Sequence, residues 1–551
     1  MTFAIFSASL RALCVRIPLV PPSPKSSSFN SCNLIGALAV LLLCGCTSLP
    51  KPRPEWSERH PIDVQNTSWA KTISPAATEH PGSSGVKLLP YGLDAFSARL
   101  ALADSAERTL DLQYYIWMPD SAGKLLAEHV LGAADRGVRV RILIDDLGGT
   151  AADSVLLTLS SHTNIEVRIF NPVANRTFRK LSMLFHLKRV NRRMHNKSFT
   201  ADRTVAVVGG RNIAEEYFGL GEEPLFVDFD VIAAGPAVEQ IAAMFERFWF
   251  GASSIPIEAL SKKGNPSGDF TAARSALASE ARSITNSPAF QPLLRDETAG
   301  AIRRHDVSLT WGPVRLVSDQ PEKVGAARTD PSTHLLPQLS SVVKGTTREL
   351  VIISPYFVPG PKGLALFQSL RQRGIRIVVL SNSLASQDVT AVHAGYRRYR
   401  KPLLCAGVEM WEMRPDIEIR TTQRQDGATS NHKQPGSSLH MKTLIFDRQT
   451  LFVGSLNLTP RSASLNTELG LIIEIPTVAE PVARAFEQRL REAAYRLEFV
   501  PGPGPCKECG HIEWISRENG SEVRYRHEPH ATFGKHLAVG IFSLLPIESQ
   551  L

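Results

Sequence analysis

The chain has 551 residues, of which 43% are hydrophobic and 21% are charged. This balance indicates an ordinary globular protein with room for two sizeable cores, and it excludes a chain too polar to fold. The formal net charge of +9 at pH 7 suits an anionic partner, although charge alone does not separate a lipid from a nucleic acid.

The N-terminus has the pattern of an export signal. Three basic residues precede an uncharged run over 34–43, which is too short to span a bilayer as a helix and fits a signal peptide. The run ends in Leu43-Cys44-Gly45-Cys46, which resembles a bacterial lipobox with Cys46 as the lipidated residue. An ordinary signal peptide with a coincidental cysteine is the alternative. We expect a leader over 1–45 and a protein of the bacterial cell envelope, anchored by lipid to a membrane and facing the periplasm.

A strand–helix–strand pattern then occurs twice. Residues 46–85 are rich in Pro, Ser and Thr and are predicted to be a tether. The predicted elements are a strand over 108–117, a helix over 121–136 and a strand over 137–145, and again a strand over 348–358, a helix over 361–373 and a strand over 374–380. Arg-Gly-Val-Arg and Arg-Gly-Ile-Arg close the two helices. The repeat predicts a duplicated α/β fold with one half over 86–252 and the other over 332–500.

Two further segments lie outside this repeat. Residues 253–331 carry Gly, Ser and Pro clusters and are predicted to be an insert and linker. Residues 501–551 form a tail with an apolar end, which either contacts a membrane or packs on the core. The tail contains part of a zinc-site pattern, formed by Cys506, Cys509 and His511. No second cysteine pair lies nearby, so a local disulfide or no role at all is the better interpretation.

One set of residues with the same spacing occurs twice, once in each half. The set comprises His195, Lys197, Asp202, Gly209, Gly210 and Asn212, and then His440, Lys442, Asp447, Gly454, Ser455 and Asn457. In both copies lysine follows the histidine by two positions, aspartate by seven and asparagine by seventeen. Agreement at so many fixed positions is far from chance. The residues after each histidine alternate around a polar turn, which predicts a strand hairpin with histidine and lysine on one face.

Such a set has the parts that a phosphodiester reaction needs. One histidine would attack phosphorus and the other would protonate the leaving oxygen. Lys197 and Lys442 would bind the anionic oxygens. We expect further phosphate contacts from the two asparagines and from the backbone at the glycines and Ser455. The aspartates complete the predicted catalytic set, but because they lie in the turns, we interpret them as anchors of the hairpins more than as reacting groups.

A histidine that attacks phosphorus needs a carboxylate on its other ring nitrogen to fix the tautomer. Glu468 follows the second copy at the start of an apolar strand. Asp228 has the comparable place after the first copy, with Asp230 as its competitor. Metal binding is the rival interpretation of paired histidines, but a lysine beside each would place a cation where the metal would sit. We therefore expect no metal and no cofactor.

Both copies match the H-x-K-x4-D signature of the phospholipase D superfamily. The surrounding residues, including 192–200, 208–213 and 381–396, resemble bacterial cardiolipin synthases of the C type, from about Tyr91 to the C-terminus. The resemblance implies two α/β/α halves related by a pseudo-twofold axis with one shared active site. It also implies a phosphatidyltransferase with a phosphohistidine intermediate, and the superfamily's usual order makes His195 the nucleophile. The implied partners are membrane phospholipids, phosphatidylglycerol first and phosphatidylethanolamine as a second candidate.

Three other functions remain open at this point. Water could replace the lipid hydroxyl, which would make the protein a phospholipase D-type hydrolase. A nuclease would suit the positive charge, but a membrane-anchored chain meets lipid first, so we expect no nucleic acid partner. The third is a non-enzymatic envelope scaffold, and the complete residue set in both halves argues against it.

Overall fold

The structure is a computed structural model that describes residues 49–50, 62–149, 153–173, 176, 179, 182–183, 186–220, 225–260, 270–325, 330–417, 437–502, 510–518 and 520–551. The predicted leader over 1–45, the lipidation site Cys46 and the pair Cys506 and Cys509 lie outside these residues. Apolar runs bounded by Gly, Pro and polar turns form the strands, and amphipathic segments between them form the helices.

The first half is built on a large mixed sheet. In the described residues this sheet has nine strands in the order β10-β1-β8-β6-β5-β2-β3-β4-β9, and β7 lies apart from it. The strands are β1 (Ser84–Leu89), β2 (Thr109–Ile116), β3 (Arg139–Asp145), β4 (Ile165–Phe170), β5 (Ser198–Ala201), β6 (Val205–Gly209), β7 (Phe226–Val227), β8 (Asp230–Ala234), β9 (Ser254–Pro256) and β10 (Thr310–Gly312).

The second half has a sheet of its own. Ten strands form it among the residues described, in the order β11-β18-β17-β16-β12-β13-β14-β19-β20-β21, and β15 lies apart. The strands are β11 (Val314–Ser318), β12 (Glu349–Ile353), β13 (Arg376–Asn382), β14 (Glu409–Met413), β15 (Ser438–Leu439), β16 (Thr443–Phe446), β17 (Thr450–Gly454), β18 (Leu469–Ile473), β19 (Ala494–Pro501), β20 (Gly510–Glu518) and β21 (Ser521–Tyr525).

The two sheets share one topology. The order β1-β8-β6-β5-β2-β3-β4-β9 of the first half corresponds strand by strand to β11-β18-β17-β16-β12-β13-β14-β19 of the second. The pairs β2–β3 and β3–β4 are parallel, as are β12–β13 and β13–β14. Both halves also carry the same antiparallel hairpin, β5–β6 in one and β16–β17 in the other. The predicted duplicated α/β fold is confirmed.

Helices cover both sheets and fill the space between them. They are α1 (Ser68–Glu79), α2 (Gly92–Ser105), α3 (Ser121–Asp135), α4 (Asp146–Gly149), α5 (Asp153–Ser160), α6 (Leu187–Val190), α7 (Pro236–Trp249), α8 (Ile257–Leu260), α9 (Phe270–Asn286), α10 (Gln291–Leu294), α11 (Glu297–Arg303), α12 (Leu336–Gly345), α13 (Gly360–Gln372), α14 (Thr390–Cys405), α15 (Pro460–Ser464), α16 (Pro476–Ala493) and α17 (Phe533–Ser543). Buried side chains of α7 and α16 join strand residues of both sheets in one apolar cluster, so the two halves share a core.

The segments predicted as tether, linker and tail contribute to the fold. Helix α1 lies inside the predicted tether, yet its Trp69 and Ile73 are buried in the core of the first half. The predicted insert over 253–331 is divided, because β9 and β10 belong to the first sheet and β11 opens the second. In the tail, β20 and β21 extend the second sheet, and α17 packs on α14. Apolar residues in each segment complete a neighbouring core, which composition alone does not reveal.

Within the part of the chain that the structure describes, no helix combines the length and the apolar character that a membrane crossing requires.

Candidate active site

Each histidine lies just before the first strand of its hairpin. His195 precedes β5, which turns through Asp202 and Arg203 into β6, and His440 precedes β16, which turns into β17. The turn residues have positive φ angles, 48° and 52° in the first hairpin and 53° and 60° in the second. Aspartate tolerates this conformation better than most residues. The predicted hairpins are therefore formed in the same way in both halves.

The aspartates of the signature are far from the histidines. Seven residues of extended chain separate Asp202 from His195, or about 20 Å. The Asp202 carboxylate accepts hydrogen bonds from the backbone N–H groups of residues 107, 108 and 109, where β2 begins. Asp447 accepts from residues 347, 348 and 349 in the same way. Of the predicted catalytic set, these two residues tie each hairpin to its neighbouring strand and do not face the other members.

The halves meet by pairing each histidine segment with a segment of the other half. Met194 forms a parallel bridge with Thr467, and the backbone N–H of His195 donates to the Thr467 carbonyl at 2.9 Å. Across the pseudo-twofold axis, β15 pairs in parallel with β7, and the N–H of His440 donates to the Val227 carbonyl at 2.8 Å. Glu468 and Asp228 follow directly in the chain, so each lies beside the histidine of the opposite half.

The two carboxylates are therefore exchanged between the halves. Nδ1 of His195 lies 2.8 Å from Oε2 of Glu468, 273 positions away in the sequence. Nδ1 of His440 lies 2.5 Å from Oδ2 of Asp228, 212 positions away. Asp230, the competitor of Asp228, forms an ion pair with Arg99 instead. Glu468 and Asp228 have the predicted contact with a histidine, but the order of residues along the chain gave no sign of the exchange.

Neighbouring groups hold Glu468 in position. The hydroxyls of Ser455 and Ser462 donate to its carboxylate at 2.5 and 2.7 Å. Asp319 accepts from its backbone N–H at 2.8 Å. Burial alone would raise the pKa of Glu468, but His195 and Lys197 bring that pKa below its usual value. The carboxylate is therefore ionised at neutral pH and fixed opposite the imidazole.

We expected the backbone N–H groups at the glycines and Ser455 to contact phosphate, and two of these N–H groups bond to carbonyls of the protein. Gly210 donates to the Phe229 carbonyl at 3.3 Å, and Ser455 donates to the Leu469 carbonyl at 2.9 Å. A Cβ on Gly210 would lie 2.2 Å from Oδ1 of Asp228, and one on Gly454 would lie 2.2 Å from the Leu469 carbonyl oxygen. Glycine is needed at both positions because a carboxylate or a neighbouring strand occupies the space that a side chain would fill. These contacts form only in the folded protein, so the sequence pattern does not show them.

Both lysines are buried and turn back on their own histidines. Nζ of Lys197 donates to the backbone carbonyl of His195 at 2.6 Å, and Nζ of Lys442 donates to that of His440. Burial lowers the pKa of Lys197 to about 7, against the opposing effect of Glu468. Burial lowers the pKa of Lys442 to about 8, opposed by Asp228. An anionic group placed between them would raise both pKa values, so the site favours a phosphate charge.

Burial favours the neutral form of both histidines. Burial lowers the pKa of His195 to about 4, although Glu468 opposes that shift. Burial and then Lys442 lower the pKa of His440 well below its ordinary value. A neutral imidazole whose Nδ1–H donates to a carboxylate carries a lone pair on Nε2. Each histidine therefore presents a nucleophilic nitrogen.

Aromatic side chains form walls that the sequence pattern did not predict. Tyr115 packs edge-on against His195, with ring centroids 5.1 Å apart, and Tyr217 packs against His440 at 5.0 Å. The Asn212 amide donates to the Tyr217 hydroxyl at 2.8 Å, so this predicted phosphate ligand supports the wall. Tyr217 follows Asn212 by five positions, where the second copy has Ser462 after Asn457. The comparison of the two copies therefore could not find it.

Asn457 is a predicted phosphate contact of the second copy. The side-chain oxygen of Asn457 is buried and has no hydrogen-bond partner among the residues described, which leaves its predicted role open. In the described ranges, no group of three or more His, Cys, Asp or Glu residues has the arrangement of a metal site. Metal-free chemistry stays a prediction.

The sequence model of the family described as "Cardiolipin synthase, PLD-like domain" matches residues 100–249 and 339–490. Each match lies within one half, the first covering β2 to β8 and the second β12 to β18, and each contains one histidine motif. The match confirms the resemblance that the motifs indicated.

Relatives extend the likeness to most of the chain. Cardiolipin synthase C of Escherichia coli is 42% identical, with 87% of this chain and 98% of that protein covered. Cardiolipin synthase B of Escherichia coli is 26% identical, with 74% of this chain and 78% of that protein covered. The crystal structure of phosphatidylserine synthase from Haemophilus influenzae is 12% identical, with 77% of this chain and 92% of that chain covered and a TM-score of 0.49. The chain belongs to the cardiolipin synthase family of proteins with PLD-like domains.

Proposed function

We propose that the protein is a phosphatidyltransferase that joins two phospholipids into cardiolipin through a phosphohistidine intermediate. The observation that carries the proposal is the exchanged pairing of His195 with Glu468 and of His440 with Asp228. It supplies two oriented imidazoles in one site, as a transfer with two chemical steps requires. The family membership and the 42% identity to a cardiolipin synthase C support the choice of lipid as substrate.

In the first step, Nε2 of His195 attacks the phosphorus of a phosphatidylglycerol headgroup. A P–N bond forms and the P–O bond to glycerol breaks. A proton on Nε2 of His440 moves to the leaving oxygen, so free glycerol departs. Burial and Lys442 lower the pKa of His440. A bound phosphate charge raises that pKa, so His440 takes up this proton from solvent when the lipid binds. Glu468 stabilises the positive charge that develops on the His195 ring.

In the second step, a hydroxyl of a second phosphatidylglycerol attacks the phosphohistidine. Its proton moves to Nε2 of His440, the new P–O bond forms, and the P–N bond to His195 breaks. Both histidines return to their starting states. Lys197 and Lys442 would hold the equatorial oxygens in both steps, because the buried ammonium groups gain most when negative charge collects between them.

The experiment that tests this function uses cells that contain no cardiolipin. Total lipids are separated and identified by mass spectrometry. We expect cells expressing the wild type to accumulate cardiolipin and cells expressing His440→Ala to accumulate none. Free phosphatidic acid without cardiolipin would instead show that water is the acceptor. Mild acid trapping of the intermediate in each single His→Asn variant tests the roles, and an adduct on His440 alone would reverse them.

We also propose that the mature chain starts at Cys46, is lipidated there and faces the periplasm. The support is the Leu43-Cys44-Gly45-Cys46 sequence after an uncharged run over 34–43. Mass spectrometry of the N-terminal peptide from membranes tests this, with Cys46→Ser as the matched variant. We expect a diacylated cysteine in the wild type and an unprocessed leader in the variant. An unmodified mature N-terminus in the wild type would reject the anchor.

A further inference from the structure

Helix α17 near the C-terminus has one face packed on the protein and one apolar face exposed. Phe533 is 82% exposed, Leu537 55%, Ile541 54% and Leu544 86%. At about 100° per residue these four positions lie within an arc of about 80°. Val539, on the opposite side, is fully buried against Ala394 and Leu384. We call Phe533, Leu537, Ile541 and Leu544 the stripe. Only two other large hydrophobic residues of the described chain are exposed, Leu336 and Leu366, so the stripe is a local feature.

Hydrogen bonds hold the segment that carries the stripe beside the active site. The amide of Gln550 accepts from Asn191, four residues before His195, at 2.5 Å. Arg461 donates to the Gln550 backbone carbonyl at 2.9 Å. The next residue along, Ser462, donates to Glu468. At the other end of the segment, Nζ of Lys535 donates to the carbonyls of residues 384, 385 and 387. The helix therefore holds a fixed position relative to the histidines.

Most charged groups around the stripe are basic, and two acidic groups, Glu548 and Glu528, lie beside Arg398 and His536. The sequence of α17, Phe-Gly-Lys-His-Leu-Ala-Val-Gly-Ile-Phe-Ser, carries Lys535 and His536 and no acidic residue. Arg397 and Arg398 of the neighbouring α14 are exposed, and Arg398 donates to the Ser543 carbonyl at 2.7 Å. An apolar stripe flanked by basic groups is the pattern of a helix that lies in the interface of an anionic membrane.

A membrane fits this face better than a second copy of the chain. Eleven helical residues span about 16 Å, and a stripe one side chain wide covers far less than the roughly 800 Å² per partner that a stable protein interface needs. A lipid surface imposes no such minimum, because each side chain inserts independently.

We infer that α17 docks the protein on an anionic phospholipid surface, with Phe533, Leu537, Ile541 and Leu544 inserted among the lipids and the active site held at the headgroups. The inference rests on the proposed function in that the substrate is taken from this surface. Docking through α17 adds to the proposed anchor at Cys46, because it sets the orientation of the site and not only its distance from the membrane.

Flotation with vesicles tests the docking. The protein is residues 47–551, which include every described residue and lack the anchor, and the vesicles are phosphatidylglycerol with phosphatidylethanolamine. Phe533→Gln/Leu544→Gln removes the two most exposed side chains, and Leu336→Gln/Leu366→Gln is the control with exposed leucines elsewhere. We expect at least about tenfold weaker partitioning for the first variant and less than twofold change for the control. Binding to phosphatidylcholine vesicles should be weaker throughout.

Two results would overturn the inference. One is equal flotation of Phe533→Gln/Leu544→Gln and wild type. The other is a lipid-free dimer, seen by light scattering, that this variant dissociates, because the face would then bind a second copy. Turnover of detergent-solubilised phosphatidylglycerol separates this from the proposed function. Normal turnover with unchanged flotation rejects the docking alone, whereas stripe-dependent flotation without any lipid product rejects the proposed function alone.

Discussion

Replacing Glu468 by glutamine tests the exchanged pairing most directly. Glutamine keeps the shape of the side chain and removes the negative charge that lies 2.8 Å from Nδ1 of His195. The hydroxyls of Ser455 and Ser462, which donate to the carboxylate, can still donate to the amide oxygen or rotate to accept from its N–H. The fold is therefore expected to persist, and the change falls on the charge.

The size of the effect follows from the distance. Attack on phosphorus gives the His195 ring a positive charge, and two unit charges 2.8 Å apart interact by about 6 kcal/mol at an effective dielectric constant of about 20. If about half of the charge is present in the transition state, about 3 kcal/mol is lost. At about 1.4 kcal/mol per factor of ten, kcat falls about 100-fold. KM should stay within about threefold, because Glu468 lies behind His195 and is fully buried.

Rapid-quench measurement of the phosphoenzyme assigns the loss to a step. Glu468→Gln should slow the formation of phosphohistidine on His195 through the attack on phosphorus. Asp228→Asn, the matched change beside His440, should slow the same step less, through proton transfer to the leaving glycerol. A kcat within fivefold of wild type for Glu468→Gln would refute the charge argument. Phosphoenzyme formation that depends on Asp228 and not on Glu468 would refute the assignment of His195 as the nucleophile.

Three further predictions follow from the site. Gly210→Ala places a Cβ 2.2 Å from a carboxylate oxygen and should lower kcat by more than about tenfold. Ser455→Ala, which removes a hydroxyl that donates to Glu468 and accepts from the Leu469 N–H, should lower kcat by less; equal effects would contradict the steric reason. Asp202→Asn should reduce the free energy of unfolding by about 2 kcal/mol in urea while the folded enzyme keeps its kcat within about threefold; a normal stability with lost activity would make Asp202 catalytic. Because the pKa of Lys197 is about 7 and that of Lys442 about 8, both are cationic at low pH and neutral above these values. Calorimetry should therefore show sulfate binding at least about tenfold weaker at pH 9 than at pH 6.5, with proton uptake; pH-independent binding would contradict the lowered pKa values.

The sequence predicted the features that depend on local pattern. The two hairpins and the duplicated strand–helix–strand order follow from periodicity and from spacing that repeats in both halves. The interpretation of Asp202 and Asp447 as anchors also agrees with the contacts they make. These features need few residues and short separations, which a linear pattern carries well.

The features it missed depend on how distant segments meet. The pairing of His195 with Glu468 spans 273 positions and is set by the docking of one half on the other. The reason for Gly210 is the position of Asp228 across a strand pair. Tyr217 has no counterpart in the second copy. Similarly, strands β10 and β11 were predicted as part of a linker, because segments of three and five residues with mixed polarity are recognised as strands only from the sheet edge that they join.

The exchange of carboxylates also determines when this chain can react. A half that has folded alone would hold a histidine without the acid that orients it, and it would have no second histidine to move a proton. Reactivity toward phosphodiesters therefore appears only once both halves are complete and docked. A chain still being synthesised would therefore be inactive until its second half has folded and docked on the first.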